Sequence, residues 1–318
     1  MHKITSLAQA SRNAVNEGVA LAPAGSGGRS TRTVLLHSTI ALVEDLDVRD
    51  VVVPRGGADY SPRTQVCLPY RGLFVWHVGG EDVVGDPNQV LFVPPGEQFA
   101  VTQPQREGCG ELIITPDPRV LVDLVGESDR TVRAHPLFQR RNRRADPRLQ
   151  YLSARFRQLA LGRRLDGIAA DELVLELLTA ALHWHSLRER VGSATRRLVE
   201  RAKEFLQAQL DDSVRLTDVA FAVGASPAYL TDAFRRVEGV PLHRYRVQLR
   251  LARALVELPH AANLTELALR LGFSSHSHFT AAFRSTFACT PSAFRRSAIA
   301  CACAATPLNS SRTTDFLR

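Results

Sequence analysis

Between Leu216 and Phe294 the chain writes one helical unit twice, as LTDVAFAVGASPAYLTDAFRRVEGVPLHRY and then LTELALRLGFSSHSHFTAAFRSTFACTPSAF. Leu216, Thr217, Ala220 and Gly224 recur 48 residues later as Leu264, Thr265, Ala268 and Gly272, and Phe234 and Arg235 recur 49 later as Phe283 and Arg284. Such a period marks supersecondary units that bury their apolar faces against one another. Each unit opens with a short helix, 216–223 or 264–271, that stops at a glycine where the chain must reverse. Ser226-Pro227 then starts a second helix in the first copy and Ser274-Ser275 in the second. Asn263 and Glu266 carry the spacing of a capping box.

Helical spacing separates two faces on each second helix. Leu230 and Phe234, and likewise Phe279 and Phe283, lie four apart and anchor the helix to a core. Ala228, Thr231, Asp232 and Arg235 then face outward in copy one, and His276, Ser277, Thr280, Ala281 and Arg284 in copy two. A helix held this way fits the major groove. Hydroxyl and imidazole groups near its N-terminus, Ser274 included, can meet base edges or phosphates, while Arg235, Arg236 and Arg284 can neutralise phosphate charge. Copy one is the poorer reader, because phosphates repel Asp232 and Ala228 offers little beyond contact with a thymine methyl.

Charge is distributed to match. Counting Lys and Arg against Asp and Glu, residues 1–132 carry 11 against 16, residues 133–192 carry 12 against 6, and residues 193–298 carry 15 against 9. Only the C-terminal portion of this +8 chain is therefore suited to a polyanion.

The order LTELALRLGFSSHSHFTAAFRSTFACTPSAFR resembles the second helix-turn-helix signature of AraC/XylS-type bacterial transcription regulators, and PLHRYRVQLRLARALVEL resembles the helix that joins their two subdomains. The resemblance spans about Thr195 to Arg296. It implies two recognition helices entering successive major grooves of double-stranded promoter DNA, with Ala228, Thr231 and Asp232 and then His276, Ser277, Thr280 and Ala281 facing bases. It also implies an N-terminal domain that senses an effector or partner, and the contact with RNA polymerase that an activator makes. Two residues depart from the family pattern. Glu238 replaces an aromatic, which predicts looser packing under helix 227–237, and Ala288 replaces a glycine at a turn.

The N-terminal half is written in short β-rich runs, VLLHSTIALV, VRDVVVP, GLFVWHVGG, QVLFVPPG and GELIITP, divided by Gly, Pro, Asp and Asn turns. This spacing predicts a small sandwich or barrel, and LPYRGLFVWHVGGEDVVGDPNQVLFVPPGEQFAV resembles the cupin-like barrels that precede the DNA-binding region in many bacterial regulators. A metal-dependent cupin needs several histidines and a carboxylate on one ion. Only His37 and His77 lie on the expected strands, so no metal site, no other cofactor and no catalytic residue is assigned. A small organic effector held among apolar walls is the expected occupant, with His37, Tyr70, Arg71 and Trp76 as candidate contacts.

From about Asp146 to Val191 the pattern is helical. Val174, Leu177, Leu178, Ala181 and Leu182 form an apolar stripe that either packs on the barrel or pairs with its copy in a second chain, with a homodimer favoured. The run RRNRRAD at 140–146 is expected to be a solvated connector. Five cysteines without paired spacing, no apolar run near the roughly 18 to 20 residues of a membrane span, and no export signal point to a cytoplasmic protein.

The expected architecture is thus α+β and multidomain. A flexible leader (1–30) precedes a cupin-like β-barrel or sandwich for sensing (31–132), a helical linker and dimerisation region (133–192), an all-α double helix-turn-helix (193–298) and a disordered tail (299–318). The expected function is a non-enzymatic, sequence-specific transcription regulator. An enzyme built on the barrel, with the C-terminal half as a targeting module, is the rival; it lacks an activated Ser/His or Cys/His constellation. A structural DNA-binding protein without an effector is the third reading.

Overall fold

The computed structural model describes residues 29–125, 141–182, 191–212 and 214–303, with side chains to 297. The expected leader and tail fall almost entirely outside these residues. The mixed α/β chain begins with strands β1 (Arg29–His37), β2 (Ala41–Arg49), β3 (Asp59–Tyr60), β4 (Gln65–Gly72), β5 (Phe74–Val78), β6 (Glu81–Gly85), β7 (Gln89–Val93), β8 (Gln98–Thr102) and β9 (Cys109–Pro116). After helix α1 (Pro118–Val125) comes β10 (Asn142–Arg144). The remaining helices are α2 (Pro147–Leu161), α3 (Gly167–Leu182), α4 (Ser193–Ala208), α5 (Leu216–Val223), α6 (Pro227–Glu238), α7 (Leu242–Glu257), α8 (Leu264–Arg270), α9 (His276–Phe287) and α10 (Pro291–Cys303). None of the described helices is long and apolar enough to cross a membrane.

The strands form a six-stranded sheet, β1-β2-β9-β4-β7-β10, and a four-stranded sheet, β3-β8-β5-β6. Alternation decides which residues meet between them: Phe74, Trp76 and Val78 on β5 pack with Leu91, Val93, Phe99 and Ile113. The outer face of the larger sheet, with Val43, Leu68, Phe92 and Ile114, packs on α1, α2 and α3. Of the run VRDVVVP, only the first two residues continue β2; Val53 makes an isolated bridge to Gln103.

Two features of the middle segment correct the sequence expectations. Val174, Leu177, Leu178, Ala181 and Leu182 are buried in their own chain's core against the sheet, so the stripe is not available as a dimer seam. The arginine-rich run is no solvated connector, because Asn142–Arg144 pairs with β7 as the sheet's sixth strand. Arg143 donates to the carbonyls of Ala180 and Ala181, Arg144 to Gln248 Oε1, and Arg141 to Glu97. α2 has two working faces: Leu149, Leu152 and Phe156 point into the sheet-side core, while Tyr151 and Ala154 pack with the core around α8–α10.

A second junction holds the first helical unit of the repeat to the sandwich. Lys203 on α4 is fully buried, with Nζ 2.7 Å from Glu238 Oε1 and 3.1 Å from Glu200 Oε1. The turn after β6 supplies the other side. Tyr245 donates its hydroxyl to Asp86 Oδ2 at 2.7 Å, Gln89 Nε2 donates to Glu238 Oε2 at 3.1 Å, and Asn88 Nδ2 donates to the Tyr245 carbonyl at 2.9 Å. The backbone N–H of Val84 donates to Glu200 Oε2. Glu238 is therefore a partnered buried charge, and the looser packing expected beneath α6 is absent: Phe234 is buried edge-on against Tyr245 at 5.3 Å.

Three carboxylates face one ammonium, and the surplus negative charge seeks protons. Burial pushes Glu200 up to about 7 and Asp86 up to about 6; burial also raises Glu111, inside the sandwich, to about 7. For Lys203 burial opposes the charge, but Glu200, Glu238 and Asp86 outweigh it and hold the ammonium above its ordinary value. Because the folded carboxylates bind protons that the unfolded ones release, their contribution to stability grows as pH falls from above 7 towards their ordinary 3.8 to 4.5. The thermal midpoint should be higher at about pH 5.5 than at about pH 8, and Glu200→Gln should flatten that slope. Lys203→Met leaves the carboxylates unpaired and should cost about 3 to 5 kcal/mol in chemical unfolding.

Candidate nucleic-acid interface

Each copy folds as its local sequence dictates. Gly224 ends α5 at φ 68° and Gly272 follows α8 at φ 77°, the left-handed region that favours glycine. At Gly272 a side chain would also strike the Arg250 guanidinium, since a Cβ there would lie 2.4 Å from Nη2. Ser226 Oγ accepts from the N–H of Tyr229 at 3.2 Å, Ser275 Oγ from that of His278 at 3.1 Å, and Asn263 Oδ1 from those of Thr265 and Glu266. These bonds satisfy N–H groups that a helix start leaves open.

The anchors lie where spacing placed them. Leu230, Phe234, Phe279 and Phe283 are fully buried, the first two in a core with Val199, Leu206 and Tyr245, the others in a core with Leu251, Leu258 and Phe294. The opposite faces are open. Ala228, Thr231, Asp232, Arg235 and Arg236 are exposed along α6. On α9, His276, Ser277, Thr280, Ala281 and Arg284 line one shallow groove together with Ser285, which follows Ala281 at the same helical spacing and was missed from the sequence.

The two faces differ in what they hold free. Asp232 pairs with Arg236 at 2.9 Å, and Thr231 spends its hydroxyl proton on the Pro227 carbonyl at 2.8 Å. Arg235 and Arg284 are exposed on the last turns of α6 and α9. His276 Nε2 stands 3.4 Å from Thr280 Oγ1, and Ser274 Oγ lies 3.0 Å from His278 Nδ1. Tyr229, also missed, is half-exposed on the first turn of α6, its hydroxyl 3.2 Å from Thr195 Oγ1.

α7 fixes one unit against the other. Arg250 Nε donates to the Leu210 carbonyl at 2.9 Å, beyond α4, and Nη1 to the Gly272 carbonyl at 2.6 Å, at the turn of copy two. Arg246 donates to the carbonyls of Gln209 and Asp212. Burial lowers Arg250 to about 10, so it keeps its charge at neutral pH. Charge-assisted bonds from its middle to carbonyls of both units make α7 a brace between them.

The candidate effector residues are dispersed. Trp76 is 2% exposed and packs edge-on against Phe99 in the core between the sheets, where the void that it lines is about 40 Å³. That is too little for an organic ligand, so Trp76 is a core residue. His37 is exposed at the end of β1, apart from any of the cavities described. Tyr70 and Arg71 instead border a cleft of about 770 Å³ outside the sandwich, with the Arg157 guanidinium stacked 3.7 Å over the Tyr70 ring. Among the described residues no cluster of three His, Cys, Asp or Glu side chains is placed to hold a metal ion.

Residues 219–297 match the model of a helix-turn-helix domain family. The chain is similar to the regulatory protein PocR of Salmonella typhimurium, 33% identical over 99 residues, which are 31% of this chain and 33% of PocR. It is 38% identical over 93 residues to the transposon Tn10 TetD protein of Escherichia coli, covering 29% of this chain and 67% of TetD. The chain thus spans about a third of the length of the first relative and two thirds of the second. A solved structure of an AraC-type DNA-binding domain-containing regulator from Chromobacterium violaceum is similar at 27% identity and a TM-score of 0.32, over 34% of this chain and 96% of that one.

Both recognition-helix candidates end in a left-handed residue, Gly239 at φ 72° after α6 and Ala288 at φ 58° after α9. Glycine carries that conformation without steric cost and alanine does not. Ala288→Gly should therefore stabilise the chain by roughly 0.5 to 1 kcal/mol in urea titration, and Gly239→Ala should destabilise it by about 1 kcal/mol.

Proposed function

Because the chain belongs to the AraC/XylS family of bacterial transcription regulators, we propose that it binds promoter DNA sequence-specifically, with α6 and α9 in successive major grooves about one helical turn apart. The observation that carries this reading is the pair of open helix faces, each set over fully buried anchors and each ending in an exposed arginine. The second face is the better reader: His276, Ser277 and Thr280 offer polar groups to base edges, whereas α6 presents Ala228 and an Asp232 already paired with Arg236. In this reading α9 carries more of the sequence choice and α6 mainly positions the protein on the duplex.

The cupin-like sandwich with its flanking helices responds to a small organic effector, and the response alters how α6 and α9 engage DNA and how the complex meets RNA polymerase. The two junctions support this coupling, since α2 packs against the second unit and the Asp86–Gln89 turn against the first. A homodimer would form through a surface other than the α3 stripe, which the chain buries within itself.

Purified protein should shift its promoter fragment in a salt-sensitive, sequence-selective way; equal affinity for scrambled DNA would sink the reading. Arg284→Ala should weaken binding on all sequences and reduce the salt slope by about one. His276→Ala or Thr280→Ala should change preference at one base pair by roughly 1 to 3 kcal/mol. Phe283→Ala is the contrasting case, losing about 3 to 5 kcal/mol of stability through a core cavity.

A further inference from the structure

The cleft of about 770 Å³ lies where three parts of the chain meet: the outer face of β4, one flank of α2, and the end of α7 running through a single 3₁₀ turn to the start of α8. Its walls are mostly apolar, with Leu68, Leu149, Leu161, Leu255 and Val256 among them. Four of its side chains nevertheless leave buried polar atoms without a hydrogen bond: Gln150 Oε1, Ser153 Oγ, Tyr70 OH and Arg71 Nε. Gln150, Ser153 and Tyr70 are each less than 9% exposed.

Unpaired buried polar groups are costly, and a cluster of them on one cavity requires partners from outside the chain. The orientation of Gln150 is fixed, because its Nε2 donates to the carbonyl of Pro87 at 2.6 Å and to Asn88 Oδ1 at 2.9 Å. Its free oxygen therefore accepts only, and the occupant must donate to it. The four arginines of the cleft, Arg157, Arg71, Arg49 and Arg270, stand among four carboxylates: Asp45 beside Arg157, Asp47 shared by Arg71 and Arg49, Glu257 beside Arg270, and Glu266 on the same wall. A ligand carboxylate would leave water for a wall without net positive charge, which disfavours it. Burial also raises the Tyr70 hydroxyl well above its ordinary range, so it stays protonated and neutral.

We propose that this cleft, and not the interior of the sandwich, is the effector site, and that it takes an uncharged molecule with an apolar body and hydroxyl or amide groups, one donating to Gln150 Oε1. The inference rests on the reading of the chain as an effector-modulated regulator and gives that effector a place and a chemistry. An occupant that supplies hydrogen bonds to these groups gains from pairing them. An occupant touches β4, α2 and the α7–α8 junction together, so it ties the sandwich directly to the unit that carries α9.

Isothermal titration of the full chain with a matched pair of probes, biphenol and biphenyl dicarboxylate, tests the assignment. Biphenol should bind saturably at one site per chain, and the dicarboxylate at least about tenfold more weakly. Ser153→Ala with Tyr70→Phe removes hydroxyls that make no hydrogen bond of ordinary geometry, so the thermal midpoint should hold or rise while biphenol affinity falls about tenfold or more. Ala154→Trp should fill the cleft and abolish binding. The proposal is overturned by tighter binding of the dicarboxylate, by biphenol affinity that the double variant leaves unchanged, or by no saturable biphenol binding. Promoter binding by the unliganded chain is measured separately: if it persists while biphenol binding fails, the cleft assignment falls and the regulator reading stands.

Discussion

The Lys203 ammonium is the constraint on which the arrangement of the two halves depends. It lies at full burial between Glu200 and Glu238, and Asp86 from the β6–β7 turn completes the charge around it through Tyr245. Buried ion pairs of this kind contribute little net stability, since desolvation offsets most of the attraction, but separating one partner is expensive. Their effect is selective. A sandwich docked in any other register would strand a charge, so this cluster penalises alternatives more than it rewards the native docking.

The basic surplus of the C-terminal portion is largely consumed inside the protein. Arg201 donates to the Val223 carbonyl, Arg246 and Arg250 to carbonyls around residues 209–212, Arg253 to Asp211 and Glu257, and Arg295 to the Ala261 carbonyl. Guanidinium groups suit this work because one planar fork can satisfy several carbonyls at a helix end. Arg235 and Arg284 stay exposed on α6 and α9, and Arg197, Arg215, Arg244 and Arg296 are exposed elsewhere, so net charge alone overstates the charge open to a polyanion.

What the sequence made legible was what local physics determines. The repeat, the stops at Gly224 and Gly272, the serine caps and the four-residue spacing of the anchors all involve residues within a turn or two of each other, and each lies where it was expected. The readings that failed concerned partners distant in sequence. Glu238 could not be seen as paired without Lys203 on another helix, nor the arginines at 141–144 as a strand edge without β7 and α3. The α3 stripe showed that a partner was needed and could not say that the sheet of its own chain supplied it. For the cleft a faint signal existed: Gln150 and Ser153 are polar positions on the buried face of α2, among Leu149, Leu152 and Phe156.

The brace made by α7 has a bearing on DNA geometry. Its 16 residues span about 24 Å at helical rise, and Arg250 fastens its middle to both units at once. A flexible tether would let α6 and α9 move independently; this one holds them at a set separation and a set rotation, which in the proposed complex fixes how they meet the duplex. One base pair added between the two contacts would turn the second groove by about 35° away from the helix meant to fill it. If the proposed function holds, such a protein measures the distance between two short words as strictly as it reads their letters.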